Sequence, residues 1–300
     1  MEKNRRVHKF LNEELTIRAA GVIATPVVEE MRSIQHSYPI ATVATGRAMV
    51  GAILMASQLK ENQELSLYFR GNGPLVTIFA EANFEGKVRG YTGNPRLNVP
   101  LEGDAAIDVG PAIGIGLLTV THFLPGHGTP HRGTVIIRTG EIGDDLAFYL
   151  HQSHQIPSVV ALGVHVDKYG RVEAAGGVLI ELMPGATEQT IAALEARVLN
   201  APSISKRILE GATAEDLVRD YLGEAPLLEL EHEHALQYQC RCSMDRVKRS
   251  ISLLGLLEVD RMIEDKKPLE VVCEFCGRTY VIPEPDLLEM RRDMYKGSLN

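Results

Sequence analysis

Apolar and polar positions along residues 7–182 alternate between strand-like and helix-like periods without a low-complexity break. Residues 42–60 are apolar on nearly all sides, which predicts a helix buried in a core. Residues 142–153 carry apolar side chains on one helical face, so this second helix is expected to cover a sheet. Strand-like runs bounded by glycine and proline turns lie at residues 65–70, 75–82, 86–91, 116–122, 133–139 and 172–182. The pattern predicts an α+β protein in which residues 1–184 form a large mixed core domain.

The pattern changes after Pro184 and Gly185, where the helical segments become short. Thr213 and Asp216 have the spacing of a capping box at the start of one of these helices. Isolated helices of fewer than about 12–15 residues depend on tertiary packing for their stability. Residues 187–235 also hold 10 acidic and 4 basic side chains. We therefore predict that residues 185–235 form an acidic helical linker that folds only against its neighbours.

The composition is that of an ordinary folded protein, with 45% hydrophobic and 23% charged residues. Residues 1–15 carry charges in every short window, so no signal peptide is expected, and no apolar run looks suited to a membrane. We therefore expect a cytoplasmic protein with no membrane partner. The net charge of -8 gives no reason to expect binding to nucleic acid.

The four cysteines of the chain, Cys240, Cys242, Cys273 and Cys276, follow the pattern C-x-C-x30-C-x-x-C. The second pair lies between two strand-like runs, 270–272 and 278–282, which predicts a hairpin resembling a zinc knuckle. In a reducing compartment, clustered cysteines favour metal or redox chemistry over structural disulfides. Four converging thiolates repel one another unless a cation lies between them. A single tetrahedral Zn²⁺ bound by all four cysteines is therefore predicted, within a small C-terminal domain of residues 236–300.

Two interpretations of this zinc site remain open. In the first, the zinc is purely structural and merely folds the small domain, as closed four-ligand sites usually do. In the second, the site is also a redox switch, because the cysteines of each pair are close enough in sequence to form a disulfide once zinc leaves. Loss of the metal would then unfold a domain of about 65 residues and destabilise the linker before it.

Three other functions compete with these interpretations. A zinc-ribbon module for nucleic acid would need a basic face, yet residues 236–300 hold 11 acidic and 11 basic side chains. A thiol oxidoreductase would place its reactive cysteine at the start of a helix, whereas Gly277 and the following strand favour a knuckle. An enzyme housed in the core could use residues 70–73 as a phosphate loop, but these residues lack the lysine of such loops and more simply make a hairpin turn.

Two groups of histidines could also bind metal. His122, His127 and His131 are expected to belong to a solvated turn, because their irregular spacing fixes no common face and no carboxylate partner is evident. His232 and His234 could compete as zinc ligands, but the four thiolates already supply the donors that a structural zinc needs.

With these motifs in place, the chain closely resembles the redox-regulated 33 kDa heat-shock chaperone family over essentially all of its 300 residues. The specific part of the match is the pairing and spacing of the motifs Gln239-Cys-Arg-Cys-Ser243 and Val272-Cys-Glu-Phe-Cys-Gly277. Weaker matches in the core are residues 68–75, 86–91, 140–147 and 155–158.

The resemblance implies a holdase rather than an enzyme, active in the stress response of the cytoplasm. It implies that the reduced, zinc-bound form is inactive, and that oxidation with heat-driven unfolding releases zinc and exposes apolar surface. The implied disulfides are Cys240–Cys242 and Cys273–Cys276, and no residue has a catalytic role. The implied partners are unfolded or aggregation-prone client proteins, together with a second copy of the chain in an active homodimer.

Overall fold

The structure is a computed structural model that describes residues 6–99, 107–126, 129–230 and 234–297. The strands are β1 (Val7–Asn12), β2 (Ile17–Ile23), β3 (Glu64–Gly71), β4 (Thr77–Asn83), β5 (Lys87–Thr92), β6 (Gly116–Phe123), β7 (His131–Ile136), β8 (Ser158–Val166), β9 (Val172–Leu182), β10 (Leu228–Leu230), β11 (Gln237–Tyr238), β12 (Leu269–Val272) and β13 (Thr279–Ile282). The helices are α1 (Thr25–Gln35), α2 (Pro39–Ala56), α3 (Gly110–Ile113), α4 (Gly143–His154), α5 (Glu188–Asn200), α6 (Ile204–Leu209), α7 (Ala214–Leu222), α8 (Met244–Ser252), α9 (Leu256–Glu264) and α10 (Glu284–Gly297).

Helix α2 is the element around which the core is built. It is apolar on nearly all sides, as the sequence predicts, because it contacts strands of two different sheets. It begins three residues earlier than the predicted 42–60 and ends at Ala56. Gly51 lets it approach α4, since a Cβ at this position would lie 2.4 Å from Leu146 Cδ1. The length and hydropathy of α2 would also suit a membrane span, but 89% of the segment is buried inside the protein. Burial in the core therefore accounts for its composition.

The two sheets of the core differ in what covers them. The first has the strand order β10-β1-β2-β9-β8 and the second has the order β11-β5-β4-β3-β6-β7. Neighbouring strands are antiparallel except β11 and β5, which are parallel. Strand β9 is buried at ten of its eleven positions, because α2 packs on one face of the first sheet and later helices pack on the other. Both faces of this strand are thus covered.

The helices that cover the outer face of the first sheet are α5, α6 and α7, from the predicted linker. Leu194, Leu217 and Tyr221 from these helices form one buried cluster with Val178 and Ile180 of β9. Helix α7 begins with the predicted capping box, in which Thr213 Oγ1 accepts from Asp216 N and the Asp216 carboxylate accepts from Thr213 N. The linker helices are therefore held by an apolar contact with the sheet.

Two short strands of the same region lie at sheet edges. Strand β10 pairs with β1 at the edge of the first sheet. Strand β11 pairs with β5 at the edge of the second sheet, with Gln237 N and Gln239 N donating to the carbonyl oxygens of Gly86 and Val88. The segment that precedes the cysteines thus completes both sheets.

Two compact units make up the chain, Met1–Gln239 and Cys240–Asn300. Residues 185–235 belong to the first unit. Within its described residues, the second unit has a core of five buried apolar side chains from α8, α9, β13 and α10, with partly buried apolar side chains packed against them. Its sheet is the single hairpin β12–β13. Because a core of this size contributes little stability, the unit also depends on other interactions.

Candidate metal centre

Cys240 and Cys242 lie on the chain segment that leads into helix α8. This helix begins after Ser243, whose hydroxyl accepts a hydrogen bond from Arg246 N. The cap fixes where the helix begins and so holds the backbone next to Cys242. Both cysteines are half-buried.

Cys273 and Cys276 lie in the turn that joins β12 to β13. Cys273 N donates to Arg278 O over 3.0 Å, and Gly277 N donates to Cys273 O over 2.8 Å. Gly277 has φ 65°, a left-handed conformation that favours glycine. The turn is the predicted knuckle, and its backbone bonds hold both half-buried cysteines on the same side of the hairpin tip.

The four sulfurs converge on one point. Among the residues that the structure describes, they form the one group of three or more candidate ligands whose donor atoms all lie within 4.8 Å of one another. Cys240 Sγ lies 3.6 Å from Cys273 Sγ, and Cys242 Sγ lies 3.4 Å from Cys276 Sγ. A tetrahedral zinc with bonds of about 2.3 Å to sulfur separates its ligands by about 3.8 Å. The four cysteines can therefore hold one metal ion.

The thiols have different proton affinities in this arrangement. Burial raises the pKa of the Cys240 thiol, and burial together with hydrogen bonding to the other thiols raises the pKa of Cys276 to about 12. Burial would also raise the pKa of Cys242, but hydrogen bonds from Tyr280 and the other cysteines lower it to about 7. Four thiolates cannot coexist here without a compensating charge, which is the chemistry of a cation site.

Tyr280 is a member of the site that the sequence analysis missed. Its hydroxyl donates to Cys242 Sγ over 3.0 Å, and the residue is only 8% exposed. The sequence placed it on a strand after the knuckle but offered no sign that the hydroxyl faces a sulfur. The signal that could have found it is its position four residues after Cys276, on the strand that returns beside the cysteines.

The other candidate ligands lie elsewhere. The ring of His234 packs edge-on against Phe84, with centroids 5.1 Å apart, in the first unit. His232 and His127 lie outside the described residues. His122 and His131 lie within strands β6 and β7, so their assignment to a solvated turn is wrong.

Residues 70–73 form part of a packed turn, as their glycines suggest. A Cβ at Gly71 would lie 1.9 Å from Ile113 O, and Gly73 N donates to Ile113 O. Asn72 Oδ1 accepts from Ile115 N. The backbone of the turn and the Asn72 side chain thus contact the end of α3 and the residues after it, which is not the arrangement of a loop that cradles a phosphate.

Comparison with known proteins agrees with this architecture. A family model described as "Hsp33 protein" matches residues 6–283. The "33 kDa chaperonin" of Synechococcus sp. (strain JA-2-3B'a(2-13)) is 41% identical over 280 residues, which is 93% of this chain and 87% of the relative. The "33 kDa chaperonin" of Thermoanaerobacter sp. (strain X514) is 37% identical over 278 residues, which is 92% of this chain and 94% of the relative.

A solved structure shares the fold along nearly the whole chain. The crystal structure of the 33 kDa chaperonin from Thermotoga maritima matches with a TM-score of 0.84 and 32% identity, covering 97% of this chain and 99% of that one. The match includes both the two-sheet core and the cysteine unit, given this coverage. The chain belongs to the Hsp33 protein family.

Proposed function

We propose that this protein is a redox-regulated holdase, a chaperone that binds unfolding proteins under oxidative and heat stress without catalysing a reaction. The observation that carries the proposal is the convergence of four thiols in a unit with a very small core, directly after a linker that covers an apolar sheet face. Family membership supports the chaperone function, since relatives are named 33 kDa chaperonins.

In the reduced state, Cys240, Cys242, Cys273 and Cys276 would hold one Zn²⁺. The ion supplies the positive charge that lets four thiolates share one site. The sulfur separations and the all-thiol donor set both fit zinc. Tyr280 adds a hydrogen bond to Cys242 Sγ, which orients this ligand and stabilises its thiolate form.

Oxidation would convert the ligands into disulfides. We propose the pairs Cys240–Cys242 and Cys273–Cys276, on the resemblance to the family, since all four sulfurs lie within 4.8 Å and proximity alone does not select a pairing. Each disulfide forms as two thiols lose two protons and two electrons to the oxidant, and one molecule of peroxide is reduced to two of water. Once the sulfurs bond to one another, they no longer act as thiolate ligands and zinc is released.

Loss of zinc would unfold the second unit, because five buried apolar residues and one hairpin are little to hold it together. Heat would then unfold the linker as well. Helices α6 and α7 have six and nine residues, so they depend on their contact with the sheet. Their release would uncover Val178 and Ile180 of β9, an apolar surface suited to unfolded client proteins.

The finer parts of the proposal follow the family. The active form is a homodimer that works in the cytoplasm, and its partners are aggregation-prone proteins rather than nucleic acid or membranes.

The test is to treat reduced, zinc-loaded protein with peroxide at elevated temperature. Zinc content, free thiols and the light scattering of a heat-unfolding client are measured together. We expect about one zinc per chain to be released as four thiols disappear, with suppression of client aggregation appearing in the same samples. Protein heated in the presence of reductant is the control, and we expect it to keep both zinc and thiols.

Two outcomes would contradict the proposal. A protein that keeps its zinc under peroxide and never suppresses aggregation has a structural zinc site only. A protein that cycles its thiols catalytically with a disulfide substrate, while clients still aggregate, is a thiol oxidoreductase.

A further inference from the structure

Three histidines meet at one end of the second sheet of the core. His122 on β6 and His131 on β7 are directly opposite each other in the antiparallel register, so their side chains project from the same face of the sheet. His154, the last residue of α4, reaches this face, and its ring centroid lies 5.7 Å from that of His122. The sequence spacing of these histidines gives no hint of the cluster, because it is assembled from two strands and a helix.

Gly133 allows the end of α4 to pack closely on β7. A Cβ at Gly133 would lie 2.8 Å from Tyr149 Cε2 and 3.2 Å from Ser153 Oγ, so only glycine lets the end of α4 pack so closely on β7. Gly133 lies two residues after His131 and therefore on the same face of the strand. The close packing brings the last turn of α4 over the pair of strand histidines.

One ring nitrogen of His122 could bind a metal ion. Its Nε2 is buried without a hydrogen-bond partner. Buried polar atoms without partners are rare, and each calls for an explanation such as an unobserved ion. Burial is the main cause that lowers the pKa of His122, and the neighbouring His154 and His131 lower it further.

His154 is oriented by a neighbour. Tyr149 Oη lies 3.3 Å from His154 Nε2. Metal-binding histidines commonly donate one ring N–H to such a partner, which leaves the lone pair of the other nitrogen for the metal. In the tautomer in which Nε2 donates to Tyr149, that nitrogen is Nδ1.

We propose that His122, His131 and His154 form a second metal site, which takes a divalent transition metal of the Zn²⁺ and Ni²⁺ class. Imidazole suits these ions, whereas the cysteine centre is an all-thiolate site. Among the described residues, the 4.8 Å convergence is met by the cysteines alone. Binding therefore requires the three rings to move closer together, and His131 and His154 lie at exposed positions.

The test uses full-length, reduced protein that holds one Zn²⁺ per chain, the amount that the cysteine centre alone takes up. The protein is dialysed to equilibrium against increasing NiCl₂, and bound nickel and zinc are measured in the same samples. We expect one Ni²⁺ per chain to bind saturably while the zinc content stays constant. Broadening of the His122 ring signals in the NMR spectrum by the paramagnetic ion would place the nickel at this site.

Two ligand variants and one control complete the experiment. His131→Asn and His154→Asn remove exposed side chains, so the fold should persist, and each should weaken nickel binding at least about tenfold, since even second-shell changes cost about 10–100-fold. His165→Asn removes an exposed histidine of β8 on the other sheet and should leave binding unchanged.

The proposal is overturned if the wild-type chain takes up no nickel saturably, or if nickel uptake is matched by loss of zinc. It is also overturned if the double variant His131→Asn/His154→Asn binds nickel as the wild type does. None of these results depends on chaperone activity, so the failure of this proposal is distinguishable from the failure of the redox switch.

Discussion

The hydroxyl of Tyr280 contacts one of the four cysteines directly. It donates to Cys242 Sγ, and Cys242 is also the cysteine whose pKa is lowered, to about 7. A hydrogen bond to a thiolate favours the charged form of the sulfur, which is the form that binds metal. Tyr280 therefore contributes to the lowered pKa of one of the ligands.

Tyr280→Phe tests this role while keeping the aromatic ring. Without the hydroxyl, the pKa of Cys242 rises, so less thiolate is present at neutral pH and zinc affinity falls. We expect a loss of about 10–100-fold, the usual effect of removing a partner of a metal ligand. Competition with a chelator of known affinity measures it. Tyr295→Phe, which changes an exposed tyrosine of the same unit, is the control, and equal affinities in both variants would contradict the role of Tyr280.

At the scale of the element, helix α7 shows how a short segment depends on a few local bonds. Its capping box satisfies the Thr213 and Asp216 backbone N–H groups at the start of a nine-residue helix. Helix α6 begins after Ser203 without a side-chain cap. The two helices therefore offer a matched pair of N-terminal positions in the same linker.

Thr213→Ala should destabilise α7 by about 1 kcal/mol, the typical loss on removing an N-cap. Hydrogen exchange of the α7 amides in reduced, zinc-loaded protein measures the change, and limited proteolysis of the linker should accelerate with it. Ser203→Ala is the control and should leave exchange in α6 nearly unchanged. Equal acceleration by both variants would show that the cap of α7 contributes nothing specific.

The same cap gives α7 a defined pH dependence. Hydrogen bonds from the backbone and hydroxyl of Thr213 lower the pKa of Asp216 below its usual range. A carboxyl whose folded-state pKa is lowered stabilises the fold above its unfolded value of about 3.9, and this stabilisation is lost as the pH falls through the lower, folded value. At pH 7 it is fully present.

Asp216→Asn should therefore remove this part of the acid sensitivity of α7. We expect the stability of α7 in the wild type to fall more steeply below about pH 4 than in the variant. Hydrogen exchange of α7 between pH 3 and pH 6, compared between the two proteins at each pH, checks it. If the stability of α7 falls equally steeply with pH in both proteins, the pKa of Asp216 is the same in the folded and unfolded states.

Local patterns account for much of the fold. The capping box, the extent of β9 and the knuckle of the cysteine pair follow from sequence, because each depends on neighbours within a few residues. Strands β10 and β11 could not be predicted, since their three and two residues are strands only through pairing with β1 and β5. The sequence predicts β7 at residues 133–139, but it occupies His131–Ile136. The polar residues His131 and Arg132 resembled a turn although they pair with β6.

The candidate site also contains residues that could be predicted from the sequence and residues that could not. The four cysteines were predictable as a group because thiol chemistry at this spacing has few uses. Tyr280 and the cluster of His122 with His154 were not, because their roles depend on contacts between elements that no spacing encodes.

At the scale of the whole molecule, the cysteine unit is joined to the first unit through a strand. Gln239, the residue before Cys240, donates its backbone N–H to Val88 O, so β11 continues almost to the first cysteine. Farther back, β10 closes the edge of the first sheet against β1. If loss of zinc loosens the chain at Cys240, we expect β11 to be affected first, because it is a two-residue strand at a sheet edge.

This connection predicts an order of exchange when the metal is lost. After peroxide and heat release zinc, the amides of Gln237 and Gln239 should lose protection, and those of β10 and the linker helices should follow. The central strand β3 should remain protected, because β4 and β6 flank it and α2 packs against it. Structural zinc sites contribute about 10–16 kcal/mol in small zinc-folded peptides, more than enough to account for such a change.

Hydrogen exchange with mass spectrometry, sampled at each stage of zinc release, measures this order of exchange directly. Protection that falls in β3 as early as in β11 would mean that the metal stabilises the chain as a single cooperative unit, and that the linker is not the part it controls.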